Sequence, residues 1–485
     1  MATSEKSPSA MLSQSEGGSI EAEAKDPQEE LPSCIKLQLN DHIKAYIKRN
    51  TLLREHIKSI DCNQNIVDKV ILNYIIVKQI LSNLDWQDKM LCNNVCTTWH
   101  SAVQSLIKEN TCPEDFVIDF HPRSLSCKTH FKKSGNFNKE PLVVITFANI
   151  SAYTMTHQCK NIEPKTCQPS CKRDHSCMYC CLYVIYKYTS APKDCMITIK
   201  SDYLSYMPLP QSVTSRHTIT HLKSPPFIGG LYIPSIPDVE FHKINVKSYN
   251  KMKEDFFDVV DRLSMTRIFK GIVVFVTDKY LLHTVEDIIL LNHFKKVQPD
   301  IPYALGGCIV DDTIFDHNDI QGVVDSINKN KHYISENLIS IAAFTVPKDK
   351  GNIESNFDMF SLILDSSEWS KAKIEHSITE FSKQVPRFEY SAALKLSCVG
   401  RDQKHKFEQD CFRSAFPDTP IVGCYGNGEI GANYPIKPEL PCTSPSLAKK
   451  KREAGPQFGI MYSYSTVFMY MGWGRIVSPM GPVTK

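Results

Sequence analysis

Apolar residues recur at helical spacing along two neighbouring segments of the chain. Between residues 35 and 64 they lie among Lys, Arg and His, which predicts one or two amphipathic helices. Between residues 65 and 110 there is no Gly and no Pro, and the apolar positions form two groups separated by Asp85. This pattern predicts a compact helical module with a break near Asp85. Its apolar positions are Val70, Ile76, Val77, Ile80, Leu81, Leu84, Met90, Leu91, Val95, Trp99, Val103, Leu106 and Ile107.

After Pro113 the pattern changes to short apolar runs of the kind that form buried strands. Helical segments alternate with some of these runs, and one of them, over residues 407–416, ends before Pro417. We therefore expect an α+β multidomain chain, in which a short all-α module precedes a large domain of mixed α/β structure. The runs that predict strands are residues 142–147, 195–199, 271–276, 339–345 and 391–398.

Composition and charge exclude several classes of protein. Residues 1–34 are rich in Ser, Glu, Ala, Gln and Pro, which predicts a disordered tail. This segment lacks the apolar core of a secretory signal, so we expect a cytoplasmic or nuclear protein. A net charge of +3 is too balanced for a general nucleic-acid or membrane binder. Since no apolar run reaches the roughly 20 residues of a spanning helix, we expect neither nucleic acid nor a membrane among the partners.

The helical module carries a recognisable motif. Residues 80–84, Ile-Leu-Ser-Asn-Leu, are followed without a gap by an Asp-containing link and by Val95, Cys96 and Trp99. This arrangement resembles the F-box, although Asn73 and Trp86 stand where that family usually has Pro and Lys89 where it commonly has Leu. The resemblance assigns residues 65–110 to an F-box.

A module of about forty residues cannot bury all of these apolar side chains, so it should expose an apolar interaction surface. The F-box resemblance implies that this surface binds the Skp adaptor, which links F-box proteins to a cullin-RING ubiquitin ligase. The alternative is an ordinary helical hairpin packed on the rest of the chain. The adaptor contacts that the resemblance implies are Ile76, Ile80, Leu81, Leu84, Val95 and Trp99.

A second motif lies towards the C-terminus. Residues 397–401, Ser-Cys-Val-Gly-Arg, then a helix, then residues 421–431, Ile-Val-Gly-Cys-Tyr-Gly-Asn-Gly-Glu-Ile-Gly, resemble the FIST C-terminal domain. We therefore assign residues 111–300 to the N-terminal part of a FIST-like α/β region with a Cys-rich insert at 157–181, and residues 301–480 to the FIST C-terminal domain. The resemblance implies a cleft in which Arg401, Asn427 and Glu429 bind a small ligand or a target protein. The alternative is that these side chains only tie loops together.

Residues 426–431 also satisfy the dinucleotide-binding pattern G-x-G-x-x-G. That pattern requires a following helix whose N-terminus faces the pyrophosphate. Here Pro435, Pro438 and Pro441 prevent such a helix, so we expect no dinucleotide site. If the strands before residues 397–401 and 426–431 are parallel, these two loops should be neighbours and should form the edge at which clefts occur.

Seven Cys and His residues lie between positions 159 and 181, with one C-x-x-C pair. Structural zinc takes four Cys or His ligands, so a zinc site formed by Cys171, His175, Cys177 and Cys180 is one interpretation. The other interpretation is that these cysteines pack as small apolar residues, because residues 180–185 have the pattern of a strand. Apart from this zinc ion we expect no cofactor.

Taken together, these features predict a non-catalytic protein. A thiol nucleophile at Cys398 or Cys424 with His405 as its base would need a lowered thiol pKa, and no known peptidase pattern surrounds either Cys. We expect a substrate-recognition subunit of an SCF-type cullin-RING E3 ubiquitin ligase, whose FIST-like domain captures a target for ubiquitination and proteasomal degradation. The alternative is a cytosolic small-ligand or metal-binding sensor with no ubiquitin role.

Overall fold

The structure is a computed structural model, and its described residues form part of one compact unit, Cys62–Lys485. The predicted tail, residues 1–34, and nearly all of the predicted amphipathic segment, residues 35–64, lie outside them. The described residues are 64–109, 111–120, 129–153, 156–158, 178–210, 212, 219–222, 226–281, 291–315, 319, 322, 334–348, 356–365, 368–436, 461–462 and 464–478.

The helical module consists of α1 (Gln64–Leu72), α2 (Tyr74–Leu81), α3 (Trp86–Cys92) and α4 (Thr97–Glu109). Two polar side chains cap the N-termini of helices in this module. The Asn73 side chain accepts hydrogen bonds from the backbone N–H groups of Ile75 and Ile76, and the Asp85 carboxylate accepts one from Asp88. Such caps satisfy N–H groups that have no partner inside the helix. The break predicted near Asp85 is therefore confirmed.

The module has a small apolar core of its own between α2 and α4. The half-buried Trp99 packs against this core, and its indole N–H donates to the Ile71 carbonyl at 3.1 Å, which ties α4 to the end of α1. Lys78 on α2 reaches Glu109 at the end of α4, with 2.7 Å between Nζ and Oε1. The fully or nearly fully buried members of the core are Val77, Leu81, Ala102, Val103 and Leu106.

The remainder of the described chain, here called the β domain, is built from strands with helices between them. Its elements are β1 (Glu114–Phe120), β2 (Thr129–Lys133), β3 (Pro141–Ala148), α5 (Ile150–Tyr153), β4 (Thr156–Gln158), β5 (Met178–Cys180), α6 (Cys181–Thr189), β6 (Met196–Lys200), β7 (Tyr203–Met207), β8 (Ile219–Leu222), β9 (Phe227–Pro234), β10 (Glu240–Val246), α7 (Asp258–Thr266), β11 (Arg267–Thr277), α8 (Asp278–Leu281), α9 (Asn292–Val297), β12 (Ala304–Val310), β13 (Asp312–Ile314), β14 (Ile339–Pro347), β15 (Asp358–Leu364), α10 (Lys371–Gln384), β16 (Arg387–Cys398), α11 (His405–Ala415), β17 (Ile421–Gly426), β18 (Glu429–Ala432), β19 (Met461–Tyr462) and β20 (Thr466–Ser478).

These strands form three mixed six-stranded sheets and one pair, β4 with β5. Sheet 1 has the order β13-β6-β3-β9-β1-β2, sheet 2 the order β10-β14-β11-β12-β18-β19, and sheet 3 the order β15-β20-β16-β17-β7-β8. Each sheet contains one parallel pair, β3 with β6, β11 with β12 and β16 with β17, and its other pairs are antiparallel. The mixed α/β architecture expected from the sequence is confirmed.

The inner faces of the three sheets share one apolar core, to which Val143, Phe275 and Leu394 contribute from sheets 1, 2 and 3. Helices cover the outer faces: α6 lies on sheet 1, α7 and α9 on sheet 2, and α10 and α11 on sheet 3. Burial on both faces explains why β3, β9 and β14 are almost continuously apolar. The sheets therefore form a single packed body.

The structure confirms the strands predicted over residues 142–147, 195–199, 271–276, 339–345 and 391–398, which correspond to β3, β6, β11, β14 and β16; only Cys195 falls outside, immediately before β6. It also confirms the helix that ends before Pro417. Residue 300, placed as a division between two FIST-like parts, does not separate the sheets, because β13 pairs with β6 and β17 pairs with β7 across it. The strand predicted over residues 180–185 is wrong. Cys180 ends β5, and residues 181–185 belong to α6, whose apolar face packs Val184 and Ile185 against sheet 1.

Candidate functional site

Helix α2 is apolar on nearly every side but is covered on only one. Its sequence is Tyr-Ile-Ile-Val-Lys-Gln-Ile-Leu, and only Val77 and Leu81 are buried. Ile75 is 73% exposed, and Ile76 and Ile80 are 39% and 46% exposed. A helix that is apolar all round is normally enclosed by other parts of a protein. The uncovered sides of α2 therefore indicate a surface for a partner.

Neighbouring segments extend this exposed apolar character. Of the sixteen large apolar side chains that are exposed among the described residues, eight lie in the 24 residues from 72 to 95. Isolated exposed apolar residues are common on proteins, but such a concentration marks an interaction site. We call these eight residues the apolar surface of the module: Leu72, Tyr74, Ile75, Ile76, Ile80, Met90, Leu91 and Val95.

The six predicted adaptor contacts do not all lie on this surface. Ile76, Ile80 and Val95 do. Leu84 and Trp99 are half-buried against the module's core, and the sequence pattern alone could not show that the Trp99 indole faces α1. Leu81 is fully buried and belongs to the core, so its side chain has no surface to offer a partner. The spacing of the motif also did not single out Ile75, the most exposed residue of the surface.

The glycine-rich corner lies where β16 and β17 end side by side. These strands are parallel, with Cys398 opposite Gly426, so residues 397–401 and 426–431 are neighbours as predicted. A side chain at position 426 would lie 2.2 Å from the Ile309 carbonyl oxygen, and Gly428 has a φ of +156°. Glycine is needed at both positions because only glycine leaves room or adopts this backbone readily. Strand β18, not a helix, follows, and this is consistent with the exclusion of a dinucleotide site.

Arg401, predicted as a ligand contact, is buried beneath this corner. Its Nε donates to Glu408 Oε1 at 2.6 Å, and neither side chain reaches solvent. Its Nη1 donates to the Tyr464 carbonyl oxygen. The second Glu408 oxygen accepts a 2.7 Å hydrogen bond from the Thr466 hydroxyl. A buried ion pair is stable when hydrogen bonds satisfy the charges in this way. Arg401 therefore ties α11 to the segment before β20.

Glu429 is also fully buried. Its Oε2 accepts hydrogen bonds from the Ser465 backbone N–H at 3.3 Å and the Ser465 hydroxyl at 2.7 Å. Its Oε1 has no hydrogen-bond partner within the described part of the chain. Burial raises the pKa of this carboxyl to about 8, because a low-dielectric surrounding disfavours the charged form. At neutral pH the group is therefore mostly protonated, and it is not an exposed anion.

Lys395 is a buried cation that the sequence pattern did not single out as part of the site. Its Nζ donates to the His405 carbonyl at 2.9 Å and to the Tyr425 hydroxyl at 3.3 Å. Burial lowers its pKa to about 8. The signal was present, because Lys395 lies between Leu394 and Leu396 in a run predicted to be a buried strand.

Of the three predicted ligand-binding residues, only Asn427 is exposed, at the tip of the loop between β17 and β18. Among the described residues, the side chains of Arg401 and Glu429 are buried and bond to other parts of the chain, whereas Asn427 is exposed. This geometry agrees with the alternative interpretation of the sequence, in which Arg401 and Glu429 only tie loops together. Burial also raises the pKa of the Cys398 thiol, which is opposite to what a nucleophilic cysteine requires.

The predicted zinc ligands Cys171, His175 and Cys177 lie outside the described residues, and for Cys180 the structure describes only the backbone, at the end of β5. Among the residues that are described, no group of three or more His, Cys, Asp or Glu side chains is arranged to hold a metal ion. The zinc site therefore stays a prediction. In the same part of the chain, no helix is both long enough and apolar enough to span a membrane.

Comparisons with known proteins add little to this geometry. No family model matches the chain, and no curated protein matches it. Among solved structures, the chain is similar to a crystal structure of cyanuric acid hydrolase from A. caulinodans, with 7% sequence identity and a TM-score of 0.28. The match covers 74% of this chain and 98% of that one. A similarity at this level supports no inference about the activity of this chain.

Proposed function

We propose that this protein is the substrate receptor of a cullin-RING ubiquitin ligase and that its helical module binds the Skp adaptor. The observation that carries the proposal is α2, an apolar helix of which only Val77 and Leu81 are covered. Exposed isoleucines on a stable module are unfavourable in water unless a partner covers them. The motif that resembles an F-box lies on this same module, so the adaptor is the partner whose chemistry fits.

The β domain is then the part that captures the target. In this role the chain makes no covalent bond and needs no cofactor. It accelerates ubiquitin transfer by raising the effective concentration of a target lysine near the charged ubiquitin-conjugating enzyme. Such a receptor acts in the cytoplasm or the nucleus, where its target is marked for proteasomal degradation.

The test is direct binding of the purified chain to recombinant Skp adaptor by titration calorimetry. Replacing both Ile76→Glu and Ile80→Glu places two charges on the apolar surface without removing a core residue. We expect the affinity to fall about 100-fold or more, because two central interface side chains that each contribute about 1.4 kcal/mol together account for that factor. Met265→Glu, at a 74% exposed position on α7, is the matched control and should bind like wild type.

Circular dichroism and the melting temperature must show that each variant is folded. Unchanged affinity of a folded double variant, or no binding by the wild-type chain, would contradict the adaptor proposal.

A further inference from the structure

The helical module is joined to the β domain by polar contacts at one end of α3. The Trp86 backbone N–H donates to the Phe137 carbonyl at 3.1 Å. The Gln87 side-chain amide donates to the Ser190 carbonyl at 3.0 Å. These bonds connect α3 to the loop between β2 and β3 and to the end of α6. The junction therefore joins two separate parts of the β domain to the same short helix.

Lys89 is a charged residue of this junction, and its side chain is fully buried. Its Nζ donates to the Leu84 carbonyl within the module at 2.7 Å and to the Asn138 side-chain oxygen across the junction. Burial lowers the lysine pKa to about 8, opposed by attraction to Glu114 and Asp85, and repulsion from Lys133 lowers it further. Burying this cation therefore costs free energy, which the two acceptors offset only when both are in place.

The loop that receives Lys89 is itself held in an uncommon conformation. Phe137 has a φ of 51°, a region that a phenylalanine rarely occupies. Its backbone N–H donates to Glu114 Oε2 at 2.8 Å, and its ring stacks on Tyr232 with 4.4 Å between centroids. Strained residues persist where the surrounding structure fixes them from several sides. Here β1, β9 and α3 all hold the loop in one position.

We propose that Lys89 is a positioning residue, which selects a single orientation of the helical module on the β domain. In an arrangement that keeps the junction closed but shifts the module, the Lys89 ammonium would stay buried and lose the Asn138 acceptor, at a cost that apolar contacts alone would not impose. Buried polar groups of this kind can select one arrangement without adding stability. The consequence of this Lys89 role for function rests on the proposed ligase role. A fixed orientation of the module limits which lysines reach the ubiquitin-conjugating enzyme.

The first experiment measures the orientation itself. Spin labels are attached through non-natural amino acids at His100 on the module and at Met265 on α7, both exposed, and their separation is measured by double electron–electron resonance. The wild type should give one narrow distance distribution. Lys89→Met, which keeps the aliphatic stem, should broaden it about twofold or more with no loss of melting temperature. Lys108→Met, at an exposed position of the same module, should leave it narrow.

Asn138→Ala removes the same hydrogen bond from the other side and should also broaden the distribution. If Lys89→Met fails to fold, as judged by loss of amide protection at Val103, the distance distribution of Asn138→Ala tests the proposal in its place. A wild-type distribution that is already broad would overturn the proposal. So would narrow, wild-type-like distributions in the folded variants.

The second experiment tests the consequence in a ligase reconstituted with adaptor, cullin-RING, activating and conjugating enzymes and ubiquitin. Mass spectrometry maps the lysines of the chain that become modified. Lys89→Met should bind the adaptor with unchanged affinity but spread ubiquitin over a larger set of lysines. An unchanged set in Lys89→Met would overturn the positioning role. Failure of the wild type to bind the adaptor would defeat the proposed function and leave the orientation measurement to decide the inference.

Discussion

The helical module and the β domain distribute their large apolar side chains in opposite ways. The module exposes eight large apolar side chains within 24 residues and buries only a small core. The β domain encloses its apolar residues among three sheets and also buries charged groups, among them Lys395, Arg401, Glu408 and Glu429. Exposed apolar area is useful to a partner, whereas buried charge holds a structure in one arrangement. The comparison therefore separates a module with a large exposed apolar surface from a domain that buried ion pairs and hydrogen bonds hold in one arrangement.

The largest expected effect is on the buried ion pair of the β domain. Arg401→Ala leaves the Glu408 carboxylate buried without its cation, which should lower the free energy of unfolding by about 3–5 kcal/mol. Urea denaturation of the full chain measures this value. The exposed pair of Arg475 with Glu389 is the matched control, and Arg475→Ala should cost less than about 1 kcal/mol. Equal effects of the two substitutions would contradict the role that we assign to buried charge in the β domain.

The pH dependence of stability should reveal the buried Glu429. Its pKa is about 8 in the folded chain against an ordinary value of 4.5, so between these values the folded state binds more protons than the unfolded state. Glu429 therefore makes stability fall as the pH rises from about 5 to 8, by up to about 1.4 kcal/mol per pH unit. Glu429→Gln should flatten this part of the profile, whereas Glu254→Gln at an exposed position should not.

Lys395 should act in the opposite direction at higher pH. Its pKa is lowered from 10.5 to about 8, so above pH 8 the unfolded state binds more protons and the lysine's contribution to stability rises with pH.

A stability profile of Glu429→Gln that matches the wild-type profile below pH 8 would show that the Glu429 carboxyl is not buried as described.

A pair of adjacent residues separates the core of the module from its surface. Leu81→Ala removes a fully buried side chain and should destabilise the module by roughly 2–4 kcal/mol. Ile80→Ala, at a 46% exposed position, should cost less than about 1 kcal/mol of stability but should still weaken binding to the adaptor. Amide exchange of α4 reports stability, and calorimetry reports binding. The comparison fails if Leu81→Ala is as well folded as Ile80→Ala.

Local pattern was sufficient for the break in the module and for five strands of the β domain, but not for the junction between the two regions. The break at Asp85 and the strands over residues 271–276 and 339–345 follow from periodicity and capping, which act over a few residues. The junction residues Trp86 and Lys89 were visible only as departures from the F-box pattern. The tertiary structure brings them into contact with Phe137 and Asn138, about fifty residues away, which no local rule predicts.

The error at residues 180–185 has a similar cause. An apolar run of six residues has the same composition in a buried strand and in a short helix against a sheet, and periodicity does not distinguish them over that length. Packing of Val184 and Ile185 against sheet 1 decided in favour of α6.

The sequence by itself determined that a short helical module carries more apolar side chains than it can enclose, because the size of a core is limited by the number of residues around it. It also determined that residues 397–401 and 426–431 end neighbouring strands, provided that those strands are parallel. Only the tertiary structure decided what lies beneath that corner. Glu429 is buried because β18 pairs with β12 and because Ser465, 36 positions away in the chain, closes over it. Burial is set by such distant pairings, so the same Arg and Glu residues can line a cleft or, as here, hold loops together.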